Sequence, residues 1–245
     1  MGKLFGTDGI RGVVGENLTA DMAFRVGQAV ATVLKEDKGS RPTVVIGKDT
    51  RVSSDMLEAA LVAGICSVGG DVKPVGTIPT PAVAYLAVRE KADAGIVISA
   101  SHNPYEHNGI KVFSGEGYKL SDAVEERIEA HILSDTPMTQ VTRGEIGRCH
   151  HGSEALREEY IDFVASTIER DLSGLKILCD CANGASSATA PALFARFKAK
   201  TDFIHTEPDG VNINNGCGST HLEKLAAAVV AGGYDVGVAF DGDAD

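Results

Sequence analysis

The chain has 245 residues, of which 43% are hydrophobic and 23% charged, an ordinary globular composition long enough for one large domain or two small ones. Its formal net charge of -11 argues against nucleic acid and anionic membranes as partners, because the molecule as a whole repels polyanions. The five cysteines are an odd number and no apolar run approaches membrane-spanning length, so we expect a cytoplasmic protein without disulfide bonds.

Alternating helices and strands are predicted along the first half of the chain. Apolar residues recur at helical spacing after Thr19, which is expected to cap that helix. The elements predicted next are a strand at 43–47, a helix at 53–70 with a serine cap, a strand at 71–76, a helix at 81–89 and a strand at 94–99. The stretches on either side of Gly115 are typical of a short hairpin, and Ser121 is expected to cap a helix that ends near Leu133.

The second half of the chain repeats this alternation after a polar segment. Residues 134–152 carry Pro and Gly among polar residues and are the candidate domain boundary. The elements predicted beyond it are a helix from Ser153, a strand at 175–180, a helix from about 187, a strand at 201–205, a helix from about 220 and a strand at 235–240. This βαβαβ order predicts a parallel sheet with right-handed crossovers. We therefore predict two consecutive three-layer α/β/α domains with mixed or parallel sheets, at 1–150 and 151–245.

The segment Ser99-Ala100-Ser101-His102-Asn103-Pro104, here called the serine loop, lies where the predicted strand 94–99 ends. Ligands of such sheets bind beyond the carboxyl ends of the strands, which favours a functional role. Adjacent side chains on an extended chain point apart, so Ser101 and His102 are not expected to act as a hydrolase-type pair. On residue types alone, a serine that only caps a turn explains the segment equally well.

Residues 241–245, here called the acidic loop, follow another predicted strand. Asp241, Asp243 and Asp245 alternate in sequence, and three hard oxygen ligands at this spacing can face one divalent cation. A solvated acidic turn is the alternative, although an uncompensated cluster of carboxylates beside a buried strand is costly. The EF-hand also begins D-x-D-x-D, but its loop follows a helix.

Two other kinds of site, an aspartyl-phosphate phosphatase and a zinc centre, match parts of the sequence less well. An apolar strand that ends in Asp-x-Asp also opens the active site of phosphatases with an aspartyl-phosphate intermediate, with Asp241 as nucleophile. Those enzymes have Thr or Val next, whereas Ala244 and Asp245 follow here, which suits a metal site better. Cys179 and Cys181 lack a second ligand pair and are expected to be core residues rather than zinc ligands.

Taken together, the motifs resemble the α-D-phosphohexomutase family. The matching segments are FGTDGIRG at 5–12, GKDTRVSS at 47–54, SASHNP at 99–104, NGIK at 108–111, PDGVNINNGCGSTH at 208–221 and the acidic loop. The segment at 208–221 is similar to the branch that acts on glucosamine phosphates. The resemblance covers the chain from its first residue to its last and implies the first two of four domains, with domains III and IV absent.

The resemblance also implies a reaction. It is the interconversion of glucosamine 6-phosphate and glucosamine 1-phosphate through glucosamine 1,6-bisphosphate, for UDP-N-acetylglucosamine and cell-wall synthesis; a mutase of mannose or glucose phosphates is the alternative. The arginine that follows the third aspartate, the sugar-selecting loop and a phosphate-binding loop belong to absent sequence. The substrate-binding residues are therefore unknown, and the chain alone is expected to be an incomplete catalyst and a possible homodimer.

The site residues that the resemblance implies centre on Ser101 as the phosphoserine. One Mg²⁺ would be held by the phosphate on Ser101 and by Asp241, Asp243 and Asp245, which would offset the repulsion between phosphate and carboxylates. Lys111 and His102 are the candidates for acid-base help, and Arg11 could contact phosphate or pair with Asp8.

Overall fold

The first half of the chain forms a mixed five-stranded sheet. The computed structural model describes residues 4–6, 9–150, 152–169 and 172–245. The strands are β1 (Ile10–Val13), β2 (Thr43–Lys48), β3 (Asp71–Thr77), β4 (Ala94–Ile98) and β5 (His107–Ser114), in the spatial order β1-β5-β4-β2-β3. Strand β2 runs parallel to β3 and β4, whereas β5 runs antiparallel to β4 and β1.

Helices cover both faces of this sheet. The helices of this half are α1 (Ala20–Lys38), α2 (Val52–Ser67), α3 (Thr80–Arg89) and α4 (Asp122–Leu133). One apolar cluster joins the first face of the sheet to α1, α2 and α4, and a second joins the opposite face to α3. Burying alternate residues of the same strands on both sides gives the three-layer α/β/α arrangement that the sequence predicts.

The second half forms a smaller sheet of three parallel strands. The strands are β6 (Lys176–Asp180), β7 (Lys200–Ile204) and β8 (Val236–Ala239), in the order β7-β6-β8. Its helices are α5 (Ser153–Ser166), α6 (Ala190–Phe194) and α7 (Glu223–Gly232). The predicted βαβαβ order and the parallel sheet are confirmed.

Helix α5 joins the two halves. Its Phe163 ring stacks on Tyr85 of α3 with ring centroids 4.1 Å apart, and Leu156 and Tyr160 pack on the cluster beneath α3. The same helix contacts α6 of the second half, and Arg196, just beyond the end of α6, forms ion pairs with Glu158 and Asp162 of α5. The segment before it is bound to the first half, because the Val72 amide donates to Arg148 O and the His150 amide to Val72 O, each over 2.8 Å. This pairing ends next to residue 150, where the sequence places the domain boundary. The position of that boundary stays a prediction.

The ends of two helices and one hairpin differ in how well they match the sequence prediction. Thr19 caps α1, since its Oγ1 accepts from the Met22 amide, but α2 begins after Arg51 without the predicted serine cap. The predicted second strand of the hairpin near Gly115 does not form, because Lys119 makes an isolated bridge with Phe113 instead of a strand pairing. Strand β1 was not predicted. Within the part of the chain that the structure describes, no helix combines the length and apolarity needed to cross a bilayer.

Candidate active site

The serine loop and the acidic loop meet at the carboxyl ends of two strands, β4 and β8. The Ser101 hydroxyl donates a hydrogen bond to Asp241 Oδ2 over 2.5 Å, although the two residues are 140 positions apart. Because β4 and β8 belong to different sheets, the contact forms where the two halves of the chain pack against each other, each presenting the carboxyl end of a strand. The structure therefore brings the two most conspicuous sequence motifs into direct contact.

The three carboxylates of the acidic loop form a compact group. Each offers an oxygen within 4.8 Å of the others. Burial raises the pKa of the Asp245 carboxyl, and the charges of Asp243 and Asp241 raise it further. For Asp243, burial acts in the same direction but is outweighed by Lys111 and Thr80, so the pKa of that carboxyl lies below its usual range.

Asp243 supplies the observation that tests a cation site here. Its Oδ2 accepts from Lys111 Nζ over 2.7 Å and from Thr80 Oγ1 over 2.6 Å, but its buried Oδ1 has no hydrogen-bond partner. A buried carboxylate oxygen without a donor is costly unless a cation satisfies it. All-oxygen carboxylate sets suit hard divalent cations such as Mg²⁺, so the residues fit such an ion.

The other three predicted site residues lie on three different segments of the chain. His102 is exposed, and its Nδ1 lies 3.4 Å from Ser101 Oγ. Lys111 lies on β5 and reaches the acidic loop, with Nζ also 3.7 Å from Asp245. Arg11 lies on β1 in register with Gly109, and its expected partner Asp8 lies outside the described residues.

The prediction of an extended chain at Ser101 and His102 is wrong. The chain is not extended at this point, since Ser101 adopts a left-handed conformation with a φ of 55°. The turn brings the imidazole nearer to the hydroxyl than an extended chain would allow. The hydroxyl nevertheless donates to Asp241, at 2.5 Å, rather than to the more distant ring.

A buried ion pair beneath the serine loop was missed by the sequence reasoning. Arg51 Nε donates to Asp49 Oδ2 over 2.8 Å, and both side chains are fully buried. Asp49 also accepts from Ser54 Oγ and Ser99 Oγ, while Arg51 donates to the carbonyl oxygens of Ser101 and Pro104. Burial raises the pKa of the Asp49 carboxyl, and the Arg51 charge and these hydrogen bonds oppose that rise. The GKDTRVSS motif was the available signal for this pair.

Residues 208–216, here called the asparagine loop, complete the site from the second half. Asn214 Nδ2 donates to Ser101 O over 2.9 Å and to Asn103 O over 3.1 Å. The acidic loop approaches the same carbonyl so closely that a Cβ on Gly242 would lie 2.5 Å from Ser101 O. A cleft of about 410 Å³ runs between the serine and asparagine loops, and His102 and His221 are among its lining residues.

A second group of possible ligands lies beside β6. Asp180, His205 and Cys217 place one ligand atom each within 4.8 Å of one another. Both Asp180 oxygens already accept backbone amides, from Ala182 and Gly218, and burial together with the Asp180 charge raises the pKa of the Cys217 thiol to about 11. These features favour a structural role that ties the segment just after the asparagine loop to β6. Cys179 and Cys181 are buried, as predicted for core residues.

Comparison with known proteins identifies the family. The model for phosphoglucomutase/phosphomannomutase alpha/beta/alpha domain I matches residues 2–138, and the model for domain II matches residues 158–245. The chain belongs to the phosphoglucomutase/phosphomannomutase family. The phosphohexomutase resemblance and the α/β/α fold class predicted from sequence are confirmed.

Individual members of this family match along the whole chain. Curated relatives named phosphoglucosamine mutase are 56% identical in Acetivibrio thermocellus and 57% identical in Moorella thermoacetica, each over 246 residues that cover 100% of this chain and 55% of the relative. Among solved structures, a phosphoglucomutase/phosphomannomutase family protein from Burkholderia thailandensis superposes with a TM-score of 0.82 at 26% identity, covering 98% of this chain and 52% of that one. The chain thus spans about half the length of these family members.

Proposed function

We propose that the chain is the part of a phosphoglucosamine mutase that carries the transferred phosphoryl group on Ser101. The observation that carries the proposal is the contact between the Ser101 hydroxyl and Asp241 inside a cluster of three carboxylates. The names of the relatives at 56% and 57% identity support glucosamine phosphates as the substrates. An amino-sugar role of this kind belongs to cytoplasmic metabolism that feeds cell-wall synthesis.

In the proposed reaction, phosphoserine 101 gives its phosphoryl group to a free hydroxyl of the sugar monophosphate. The Ser101 Oγ–P bond breaks, a P–O bond to the sugar forms, and the sugar hydroxyl proton ends on Ser101 Oγ. The resulting bisphosphate, glucosamine 1,6-bisphosphate, then returns its other phosphoryl group to Ser101 in the reverse sense. Phosphoryl transfer of this type depends mainly on positioning and on neutralising charge.

The residues of the site supply those two requirements. Asp241, Asp243 and Asp245 would hold the cation, and Mg²⁺ bound there would neutralise charge on the phosphoryl oxygens. Lys111, fixed by Asp243, places a further positive charge beside the carboxylates. His102, whose Nδ1 lies 3.4 Å from Ser101 Oγ, is placed to carry the proton that moves between the sugar hydroxyl and Ser101 Oγ.

Mass spectrometry after incubation with a hexose 1,6-bisphosphate and Mg²⁺ tests the carrier. We expect phosphate on the peptide that contains Ser101, stable to hydroxylamine and absent from Ser101→Ala. Phosphate on the Asp241 peptide that hydroxylamine removes would contradict the proposal and indicate an aspartyl-phosphate phosphatase.

A second assay tests turnover. The chain alone is compared with a version continued through the C-terminal part that the relatives possess, using glucosamine 6-phosphate and mannose 6-phosphate. We expect turnover in the longer version, with glucosamine 6-phosphate preferred. Equal turnover by the 245 residues alone would show that the C-terminal part is not needed.

A further inference from the structure

Ser101 holds a backbone conformation that residues with a side chain rarely adopt. Its φ is 55°, in the left-handed region, where the Cβ crowds the backbone and the free energy is raised. Such a conformation persists only when surrounding contacts over-determine it. The contacts made by the backbone of Ser101 are therefore informative.

The amide of Ser101 is fixed from within the first half of the chain. It donates to Ser99 Oγ over 2.9 Å, and that hydroxyl in turn donates to Asp49 Oδ2 over 2.7 Å. Ser99 and Asp49 are almost completely buried. This end of the residue is tied to the buried ion pair.

The carbonyl of Ser101 is fixed from both halves. Arg51 Nη2 donates to Ser101 O over 2.9 Å from the start of α2, and Asn214 Nδ2 donates to the same oxygen over 2.9 Å from the asparagine loop. The Arg51 side chain is fully buried and Asn214 is 7% exposed, so water competes little for these bonds. The backbone N–H of Asn214 donates to Ala182 O, which anchors Asn214 just beyond the end of β6.

We propose that Asn214 is a positioning residue for phosphoryl transfer, which it serves by clamping the Ser101 carbonyl together with Arg51 so that Oγ faces the acidic loop. The inference rests on the proposed function, in which Ser101 carries the phosphoryl group. Without the clamp, the peptide can relax out of the left-handed conformation and move Oγ relative to Asp241. A displacement of about 1 Å at a reacting atom can cost about 100-fold in rate.

The test compares Asn214→Ala with the matched control Asn212→Ala. Asn212 lies in the same loop and its side chain also makes two backbone hydrogen bonds, but it is only half-buried and both bonds stay within the loop region, to Glu207 O and from the Asp209 amide. The rate of Ser101 phosphorylation by a hexose 1,6-bisphosphate is measured by rapid quenching and mass spectrometry. The assay uses the protein continued through the C-terminal part found in its relatives.

We expect Asn214→Ala to lower kcat for phosphorylation by about 10- to 100-fold, with KM for the bisphosphate and Kd for Mg²⁺ changed by less than about threefold. Asn212→Ala should match the wild type in kcat. A kcat for Asn214→Ala equal to that of the control, with wild-type transfer intact, would overturn this inference alone. Absence of transfer in the wild type would overturn the proposed function as well.

Folding is followed by circular dichroism in the same samples. If Asn214→Ala unfolds, Asn214→Gly is used, because Asn214 itself has a φ of 58°, which glycine adopts without steric cost, and glycine has no side-chain donor for the Ser101 carbonyl. Unfolding of both variants would assign Asn214 to stability alone and overturn the inference. A folded variant with reduced kcat and unchanged KM supports it.

Discussion

The Ser101 hydroxyl and Asp241 Oδ2 are joined by a hydrogen bond of 2.5 Å that spans 140 residues of sequence. A phosphate on Ser101 would replace this donor with a group of charge about -1.5 to -2 beside three carboxylates. Such a phosphate is tolerable there only with a cation that it helps to bind. The state of Ser101 and the affinity for Mg²⁺ should therefore be coupled.

We expect the Ser101-phosphorylated chain to bind Mg²⁺ at least about tenfold more tightly than the unphosphorylated chain, because the phosphate adds an anionic oxygen ligand. Isothermal titration calorimetry of the two forms measures the ratio. Ser101→Ala should match the unphosphorylated chain. Equal Mg²⁺ affinities of the two forms would count against a cation shared by phosphate and carboxylates.

The closeness of the acidic loop to Ser101 makes Gly242 sensitive to substitution. A Cβ at Gly242 would lie 2.5 Å from Ser101 O and 2.9 Å from Asn214 Nδ2. We expect Gly242→Ala to lower the free energy of unfolding by about 1–3 kcal/mol, as overpacking does elsewhere, and to weaken Mg²⁺ binding. Urea unfolding and calorimetry measure the two effects.

Gly144→Ala is the matched control, because nothing lies within 4 Å of its added Cβ. It should leave the free energy of unfolding and the Mg²⁺ affinity close to those of the wild type. Indistinguishable behaviour of the two alanine variants would mean that the loops are farther apart than the structure places them.

The left-handed conformation of Ser101 predicts an order of stability for two variants that both lack the hydroxyl. Glycine adopts φ values near 55° without steric cost, whereas alanine does not. We expect Ser101→Gly to exceed Ser101→Ala in free energy of unfolding by about 1 kcal/mol, measured by urea denaturation. Greater stability of Ser101→Ala would show that the left-handed conformation is not populated.

Thiol reactivity should divide the five cysteines into two groups. Burial raises the pKa of the Cys179 thiol to about 12 and those of Cys181 and Cys217 to about 11. Cys66 and Cys149 are partly exposed. Since the thiolate is the reactive form, we expect the three buried thiols to stay unlabelled by a thiol reagent at pH 8 until the protein is denatured.

Labelling can be assigned by peptide mass spectrometry. Raising the pH from 7 to 9 should increase labelling of Cys66 and Cys149 but not of the buried group, because pH 9 still lies well below pKa values of about 11 to 12. Rapid modification of Cys217 in the folded protein would contradict its burial beside Asp180.

The attachment of residues 141–150 to the first half should depend on pH through Asp71. Burial is the largest single influence on this carboxyl and raises its pKa, but the Arg148 amide and the Arg41 guanidinium together outweigh it, so the pKa lies below its usual range. A depressed carboxyl pKa adds stability above the unfolded-state pKa of about 3.9, and that stability is lost as the pH falls through the folded-state value.

We therefore expect Asp71→Asn to lower the free energy of unfolding by about 1 kcal/mol or less at pH 7, since the carboxyl is partly solvated. The difference between variant and wild type should shrink as the pH falls below 4. Asp135→Asn, at an exposed position outside the helices and strands, is the control. A loss that persists at low pH would show that charge is not the cause.

The sequence was sufficient for the features that depend on local pattern. Helical periodicity and Thr19 located α1, and the order of apolar runs predicted the parallel sheet of the second half. The alternation of Asp241, Asp243 and Asp245 after a strand indicated a cation site, because three hard oxygen ligands at this spacing can face one divalent cation. Motif resemblance supplied the family.

The tertiary structure decided which distant groups share the site. The left-handed conformation of Ser101 is held by donors that are distant in sequence, Arg51 at 50 residues and Asn214 at 113 residues from it. Strand β1 was missed because its four residues gain their hydrogen bonds from β5 rather than from local preference. Composition and periodicity describe each segment alone, whereas the environment of Ser101 is set by segments from both halves of the chain that converge on its carbonyl oxygen.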